Sequence, residues 1–266
     1  MQWTDAVKAH LQALTPATEN LALAQRLYSL IDLTSLNEDD TEASIVALCQ
    51  KAQSALGHVA AVCVYPAFVS LAATNFARTN VKIATVANFP AGDASLEDVL
   101  IEINDCLLDG ASEVDVVFPY ARYLAGEQHY AHHFVQACKA ACGDQALLKV
   151  ILETGALIDP AIIADASYTA LAAGADFIKT STGKIAEGAS LEAAAVMLMV
   201  IKHTEPQVKH SLGFKAAGGI RTLQQAAQYV ALADQIMGRH WVTPATFRIG
   251  ASQLVEVLLS SLISPG

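Results

Sequence analysis

The chain has 266 residues, 53% hydrophobic and 16% charged, with a formal net charge of −10. This is long enough for one large domain with a well-buried core, while an acidic balance without a basic patch argues against a nucleic-acid partner. Cys49, Cys63, Cys106, Cys138 and Cys142 include no C-x-x-C pair, which fits a reducing cytoplasm better than a disulfide framework.

The opening MQWTDAVKAH lacks a basic region followed by an apolar run, so no secretory signal is read there. No apolar stretch is long enough to span a bilayer, and no membrane partner is expected. The first ~25 residues read as extra helix before the first strand. Short runs rich in valine and isoleucine then alternate with longer segments rich in alanine and leucine. The runs are SLIDLTSL near Ile31, HVAAVCVYP around Cys63, VKIATVANFP around Val86 and EVDVVFP around Asp115. They continue with LLKVILETG around Ile151, ADFIKTS around Lys179, LGFKAAGG around Lys215 and TFRIGAS around Ile249. Helices are read at 95–109, 160–173, 191–203 and 223–237, capped by Asp93 or Ser95, by Asp159 before Pro160, and by Thr222.

Near-continuous apolar strands indicate a parallel sheet covered on both faces. Eight β-α units in one chain of this length point to a single (β/α)8 TIM barrel over residues 1–266, with the extra N-terminal helix closing its bottom. An open doubly wound sheet is the alternative, but no G-x-G-x-x-G follows an early strand.

Barrel chemistry sits at the C-terminal ends of the strands. Asp32 and Thr34 fall there on the first strand, Cys63 on the second, Asn88 on the third and Asp115 on the fourth. Lys149 and Glu153 follow on the fifth, Lys179 on the sixth and Lys215 on the seventh. Neighbours in sequence are neighbours in a barrel, so Lys179 and Lys215 are expected side by side with Asp115 facing the same cavity. Two ammonium groups in one dry cavity repel, and one loses its proton more easily and becomes a nucleophile. The alternative is that these lysines point outward and snorkel between helices.

A phosphate site is read from three successive strand ends. Gly183 and Lys184 follow the sixth strand, Gly218 and Gly219 the seventh, and Gly250 with Ser252 the eighth, at the start of the last helix. Glycines let backbone amides approach an anion without a Cβ in the way. Arg221 is read as a structural ion pair rather than a ligand. His129, His132 and His133 have helical spacing but no acidic or cysteine partner, so a solvated helix face is expected and no metal site. Cys138 and Cys142, one helical turn apart, read as buried small residues.

At these residues the chain resembles the deoxyribose-phosphate aldolases, class I, metal-independent (β/α)8 enzymes. The likeness runs through IDLTSLN, AAVCVYP, IATVANFP, EVDVVFPY, LLKVILETG, DFIKTSTGK, GFKAAGGIRT and RIGAS, in order along nearly the whole chain. The resemblance implies a Schiff base on Lys179, a pKa-lowering role for Lys215 and proton transfer by Asp115. It places Asp32, Thr34 and Cys63 around the sugar, and Gly183, Lys184, Gly219, Gly250 and Ser252 around the phosphate. It implies no cofactor, sugar phosphate and acetaldehyde as partners, and it permits a homodimer. Three departures stand out: Ala216 where better-known bacterial members have proline, Gln253 where a second serine is common, and a C-terminal SSLISPG without the terminal tyrosine that aids proton exchange. Two other readings remain open: a non-catalytic sugar-phosphate-binding barrel, and a class I aldolase for a longer sugar phosphate.

Overall fold

The computed structural model describes residues 3–260; the start of the N-terminal stretch and the tail from 261 on, where a terminal tyrosine would fall, lie outside them. Each apolar run forms a strand: β1 Ile31–Thr34, β2 Ala61–Val64, β3 Lys82–Ala87, β4 Glu113–Val117, β5 Leu147–Ile151, β6 Phe177–Lys179, β7 Gly213–Ala217 and β8 Phe247–Ala251. All neighbours pair in parallel, and β1 pairs with β8, so the sheet closes in sequence order. This is the (β/α)8 barrel, and the open doubly wound sheet is excluded.

Twelve helices are seen among the described residues. They are α1 Trp3–Gln12, α2 Leu21–Ser29, α3 Glu42–Lys51, α4 Val69–Phe76, α5 Leu96–Leu108 and α6 Tyr120–Leu124, then α7 Gln128–Cys142, α8 Thr154–Leu157, α9 Pro160–Ala172, α10 Leu191–Thr204, α11 Leu223–Met237 and α12 Leu254–Ser260. The helix starts follow their caps. The side chains of Ser95, Asp159 and Thr222 each accept a hydrogen bond from a first-turn amide of α5, α9 and α11. A two-stranded hairpin of Gln53–Ser54 and Gly57–His58 precedes β2; strands of this length carry no readable periodicity.

The N-terminal helix does not close the barrel. α1 packs on α9, α10 and α11 in the outer layer. The N-terminal face of the barrel opens instead into a cavity of about 900 Å³, bordered by Ser29, His58, Lys82, His210 and Arg248. A helix read from sequence ahead of the first strand does not name the surface that receives it.

Strand side chains alternate between two environments. One set, including Ile31, Val62, Val114, Leu148, Ile178 and Phe214, joins the large apolar cluster shared with the helices. The set turned into the barrel divides again. Ala61, Cys63, Ala84 and Val86 form a small apolar cluster with Leu36, whereas Asp32, Glu113, Asp115, Lys149, Lys179, Lys215 and Arg248 are buried charged side chains.

Gly213 fits this interior because it has no side chain: a Cβ there would lie 2.3 Å from the Phe177 ring. Gly213→Ala is expected to destabilise the fold by about 2 kcal/mol through overpacking, read as a lower midpoint of urea denaturation.

Candidate active site

The β-pairings set the site before any side chain is considered. Lys179 on β6 is in register with Lys215 on β7, and Asp115 on β4 with Lys149 on β5. Residues in register on adjacent strands point to the same side of the sheet. Asp115 meets all three lysines: its Oδ1 accepts from Lys149 Nζ at 2.8 Å, and its Oδ2 accepts from Lys179 and Lys215 at 2.8 Å each.

The cluster extends downward from there. Lys149 also contacts Glu113 at 2.6 Å and Asp32 at 3.5 Å, and Lys215 contacts Asp32 at 2.5 Å. Arg248 joins Asp32 at 2.6 Å and Glu113 at 2.7 Å. Lys149 thus touches three carboxylates, Lys215 two and Lys179 one. The side chains are between 0% and 4% exposed, so water does little to screen them.

Burial penalises every one of these charges, and the partners decide the net direction. For Lys179, burial lowers the pKa, and the single contact with Asp115, opposed by the charge of Lys215, does not restore it. For Lys215, burial is outweighed by Asp115 and Asp32, and the pKa rises. Lys149 is likewise pushed well up against burial by Asp115, Glu113 and Asp32. Burial alone would raise Asp115, but Lys149, Lys179 and Lys215 hold it well below the usual carboxylate range. Asp32 is also lowered, its burial outweighed by Lys215, Arg248 and Lys149. The arrangement therefore contains one amine poised to be neutral beside two amines held as cations.

Lys179 reaches a cavity of about 230 Å³ at the C-terminal end of the barrel. Thr34, Gly183, Lys184, Gly218, Gly219, Gly250 and Ser252 line it as well. The glycines there answer specific needs. Gly218 and Gly219 have φ of +95° and +82°, the left-handed region that side chains disfavour. A Cβ on Gly188 would lie 2.6 Å from the Gly218 carbonyl oxygen, so the loops after β6 and β7 touch backbone to backbone. Gly250 leaves room for Lys215, whose Cε would lie 3.1 Å from an added Cβ. Lys184 crosses from the β6 loop, its Nζ donating to the Leu36 carbonyl at 2.6 Å.

The sugar-side candidates sit differently from one another. Thr34 borders the cavity and donates its hydroxyl to the Asp32 carbonyl. Asp32 is fully buried, with its carboxylate engaged by Lys215, Arg248 and Lys149. Cys63 is also fully buried, and burial raises its thiol pKa. Arg221 departs from the structural ion pair read for it: it makes no ion pair among the described residues and borders the cavity. Its position two residues after Gly219 was the available signal.

Sequence reasoning placed Lys149 and Glu153 at the chemistry end of the fifth strand without a role, and did not single out Glu113 or Arg248. Glu153 closes β5 with φ of +56° and is fully buried. Its carboxylate accepts from the Thr182 amide at 3.3 Å and from the Thr182 hydroxyl, and that hydroxyl oxygen accepts from the Lys184 amide at 3.1 Å. Glu153 thereby fixes the loop carrying Gly183 and Lys184. On α7, His129 and His133 are exposed and His132 is half-buried, while Cys138 and Cys142 are buried free thiols. Among the described residues no group of His, Cys, Asp and Glu side chains is arranged to hold a metal, and no helix is long and apolar enough to cross a membrane.

The sequence model of the DeoC/LacD family of aldolases matches residues 26–253. Among solved structures, a Coccidioides immitis protein described as a candidate deoxyribose-phosphate aldolase is 28% identical, with 98% of this chain and 97% of that one covered at a TM-score of 0.79. The tetrameric deoxyribose phosphate aldolase of Aeropyrum pernix is also 28% identical, with 97% of each chain covered and a TM-score of 0.73. A Toxoplasma gondii protein described like the first is 25% identical, covering 92% of this chain and 98% of that one at a TM-score of 0.82.

The depressed carboxylates make stability acid-sensitive. Below about pH 4 the unfolded chain takes up protons on Asp32 and Asp115 that the folded chain refuses. Stability present above that pH is therefore lost as pH falls. In urea denaturation from about pH 6 to about pH 3, Asp32→Asn is expected to start less stable than the parent and to show a shallower acid decline.

Proposed function

The chain belongs to the DeoC/LacD family of aldolases, and from that premise we propose that it cleaves 2-deoxy-D-ribose 5-phosphate to D-glyceraldehyde 3-phosphate and acetaldehyde through a Schiff base on Lys179. One observation carries this reading. The amine with a lowered pKa lines the same cavity as the glycine loops and Lys184, so one small phosphorylated aldehyde can reach both. The deoxyribose-phosphate aldolases among the structural neighbours support the choice of substrate.

The steps follow from the residues. Neutral Lys179 attacks the aldehyde carbon C1 of the open-chain sugar and gives a carbinolamine, which loses water to form an iminium. The iminium draws electrons from the C2–C3 bond as the C3 hydroxyl loses its proton, leaving an enamine on Lys179 and releasing glyceraldehyde 3-phosphate. Asp115 takes that proton, directly or by way of a water, and returns it to C2. Its pKa is low while three lysines bind it. Its carboxylate is therefore ionised and able to accept when the C3 hydroxyl gives up its proton. Hydrolysis of the resulting iminium releases acetaldehyde and restores the amine.

Lys215 acts as a fixed cation: raised in pKa and touching Asp32 and Asp115, it keeps its proton while Lys179 gives one up. The cavity's glycine amides, Lys184 and Ser252 hold the phosphate, and that binding orients the reacting end. Lys184 exchanges its bond to the Leu36 carbonyl for the phosphate when substrate enters. The apolar inner wall of Ala61, Cys63, Ala84 and Val86 limits water near the enamine. The reading includes a metal-independent mechanism, a cytoplasmic setting, a single barrel domain and self-association; the tetrameric Aeropyrum pernix relative supports the last of these.

Treatment with 2-deoxyribose 5-phosphate and borohydride is expected to leave a covalent adduct on the Lys179 peptide, detected by mass spectrometry. Lys179→Leu should lose that adduct and at least about 10³-fold in kcat, and a chelator should leave turnover unchanged. Normal turnover by Lys179→Leu would sink the covalent mechanism. Loss of activity on chelation would sink the metal-free one. An ordinary lysine pKa for Lys179 and no turnover would leave a binding barrel.

A further inference from the structure

We infer that Arg248 is a positioning residue for the reaction: from the opposite end of the barrel interior, its permanent charge completes the balance that leaves Lys179 as the neutral amine. The inference rests on the reading of Lys179 as the Schiff-base residue. Arg248 borders the cavity on the N-terminal face, and Lys179 borders the one on the C-terminal face. Between them runs one connected set of ion contacts containing three carboxylates, Asp32, Glu113 and Asp115, and four basic groups, Lys149, Lys179, Lys215 and Arg248.

The numbers are unequal, and the cluster is dry. With every group ionised it carries one excess positive charge in a medium that stabilises none. Neutrality requires one base to give up its proton. The guanidinium does not titrate in a protein. Of the three amines, Lys179 has the fewest carboxylate contacts and adjoins the open cavity, so it is the one that loses its proton. If Arg248 were an uncharged side chain, all three lysines could stay protonated against three carboxylates, and the neutral amine would disappear. Burial and the Lys215 charge act on Lys179 directly, and Arg248 acts through the carboxylates it shares with Lys215 and Lys149.

Two further groups lie near Lys179. Cys63 on β2 has a thiol pKa raised by burial, which keeps it uncharged. Glu153, two residues past β5, feels the Lys179 charge, but burial raises its pKa, its carboxylate is tied to Thr182, and it makes no ion pair among the described residues. Lys184 lies on the far wall of the cavity, bonded to Leu36. Below the cluster, His58, Lys82, Asp176 and His210 face the same cavity as Arg248, and Asp176 is paired with Lys139 at 2.7 Å. Arg248 itself is held in place by Asp32, Glu113 and the Pro244 carbonyl, which accepts from its Nε.

The test reads the pH at which Lys179 becomes reactive. The full chain is labelled with acetaldehyde and cyanoborohydride over a pH series. The imine expels water, and hydride reduces it to a stable ethylamine. Peptide mass spectrometry then compares Lys179 with exposed Lys8 in the same sample. Arg248→Met should raise the Lys179 midpoint by on the order of one pH unit, and Arg248→Lys should leave it near the parent value. Combining Arg248→Met with Glu113→Gln removes one charge of each sign and should bring the midpoint back. An unmoved midpoint in Arg248→Met, or a double variant shifted as far as the single one, overturns the inference. Should circular dichroism show Arg248→Met unfolded, Glu113→Gln alone decides: the balance requires its midpoint to fall, and any other result overturns it. A parent protein that gives no Lys179 adduct removes the Schiff-base reading itself, whereas an adduct with unmoved midpoints removes only the role of Arg248.

Discussion

The carboxylate of Asp115 accepts hydrogen bonds from side chains on three other strands, each at 2.8 Å. Three amines converging in a water-poor interior would repel one another without it. With it, they are held within one small volume, and their unequal shares of negative charge make them chemically different. Lys149 and Lys215 are secured as cations by additional carboxylates, and Lys179 is not. The lowered pKa of a single amine is thus set by the cluster around it. The cluster in turn depends on strand register, since a slip of one residue on any contributing strand would turn its charge out toward the helices.

This interior is expensive to fold. Buried ion pairs recover their desolvation penalty only when geometry and additional hydrogen bonds are good. Stability must therefore come from elsewhere, and the large apolar cluster between strands and helices supplies it. The division of labour is visible along one strand. On β4, Val114 and Val116 pack outward while Glu113 and Asp115 face the ionic interior. Across the barrel, Ala61, Cys63, Ala84 and Val86 form the apolar wall, so the reacting end of a substrate would lie between a charged floor and a surface that offers water few partners.

What the sequence made legible followed from local rules. The eight valine- and isoleucine-rich runs became the eight strands, and Ser95, Asp159 and Thr222 marked helix starts because capping is a local interaction. Strand order alone put Lys179 beside Lys215, and the structure seats both on Asp115. Lys149 was placed at a strand end without a role, and Glu113 and Arg248 remained silent, because an inward charge on a barrel strand looks like any polar residue in an apolar run until closure reveals what faces it. Asp32 sat in a recognisable motif, yet its engagement with Arg248 depends on β1 meeting β8. Glu153 was hidden for another reason: its left-handed backbone turns its carboxylate toward Thr182, and nothing in its local sequence announces that turn. The placement of α1 against the outer helices was equally beyond reach, since a half-apolar helix does not name its partner.

The seam between β1 and β8 joins residues from opposite ends of the chain. Arg248 is 216 positions from Asp32 and 135 from Glu113. A chain that has assembled every strand but β8 holds those two carboxylates against Lys149 and Lys215 but without the guanidinium that bridges them. A partial barrel is thus left with open edges and with one donor to each of those carboxylates missing. β8 brings the group that completes the pairing of Asp32 and Glu113, so closure of the sheet and completion of the ionic interior coincide.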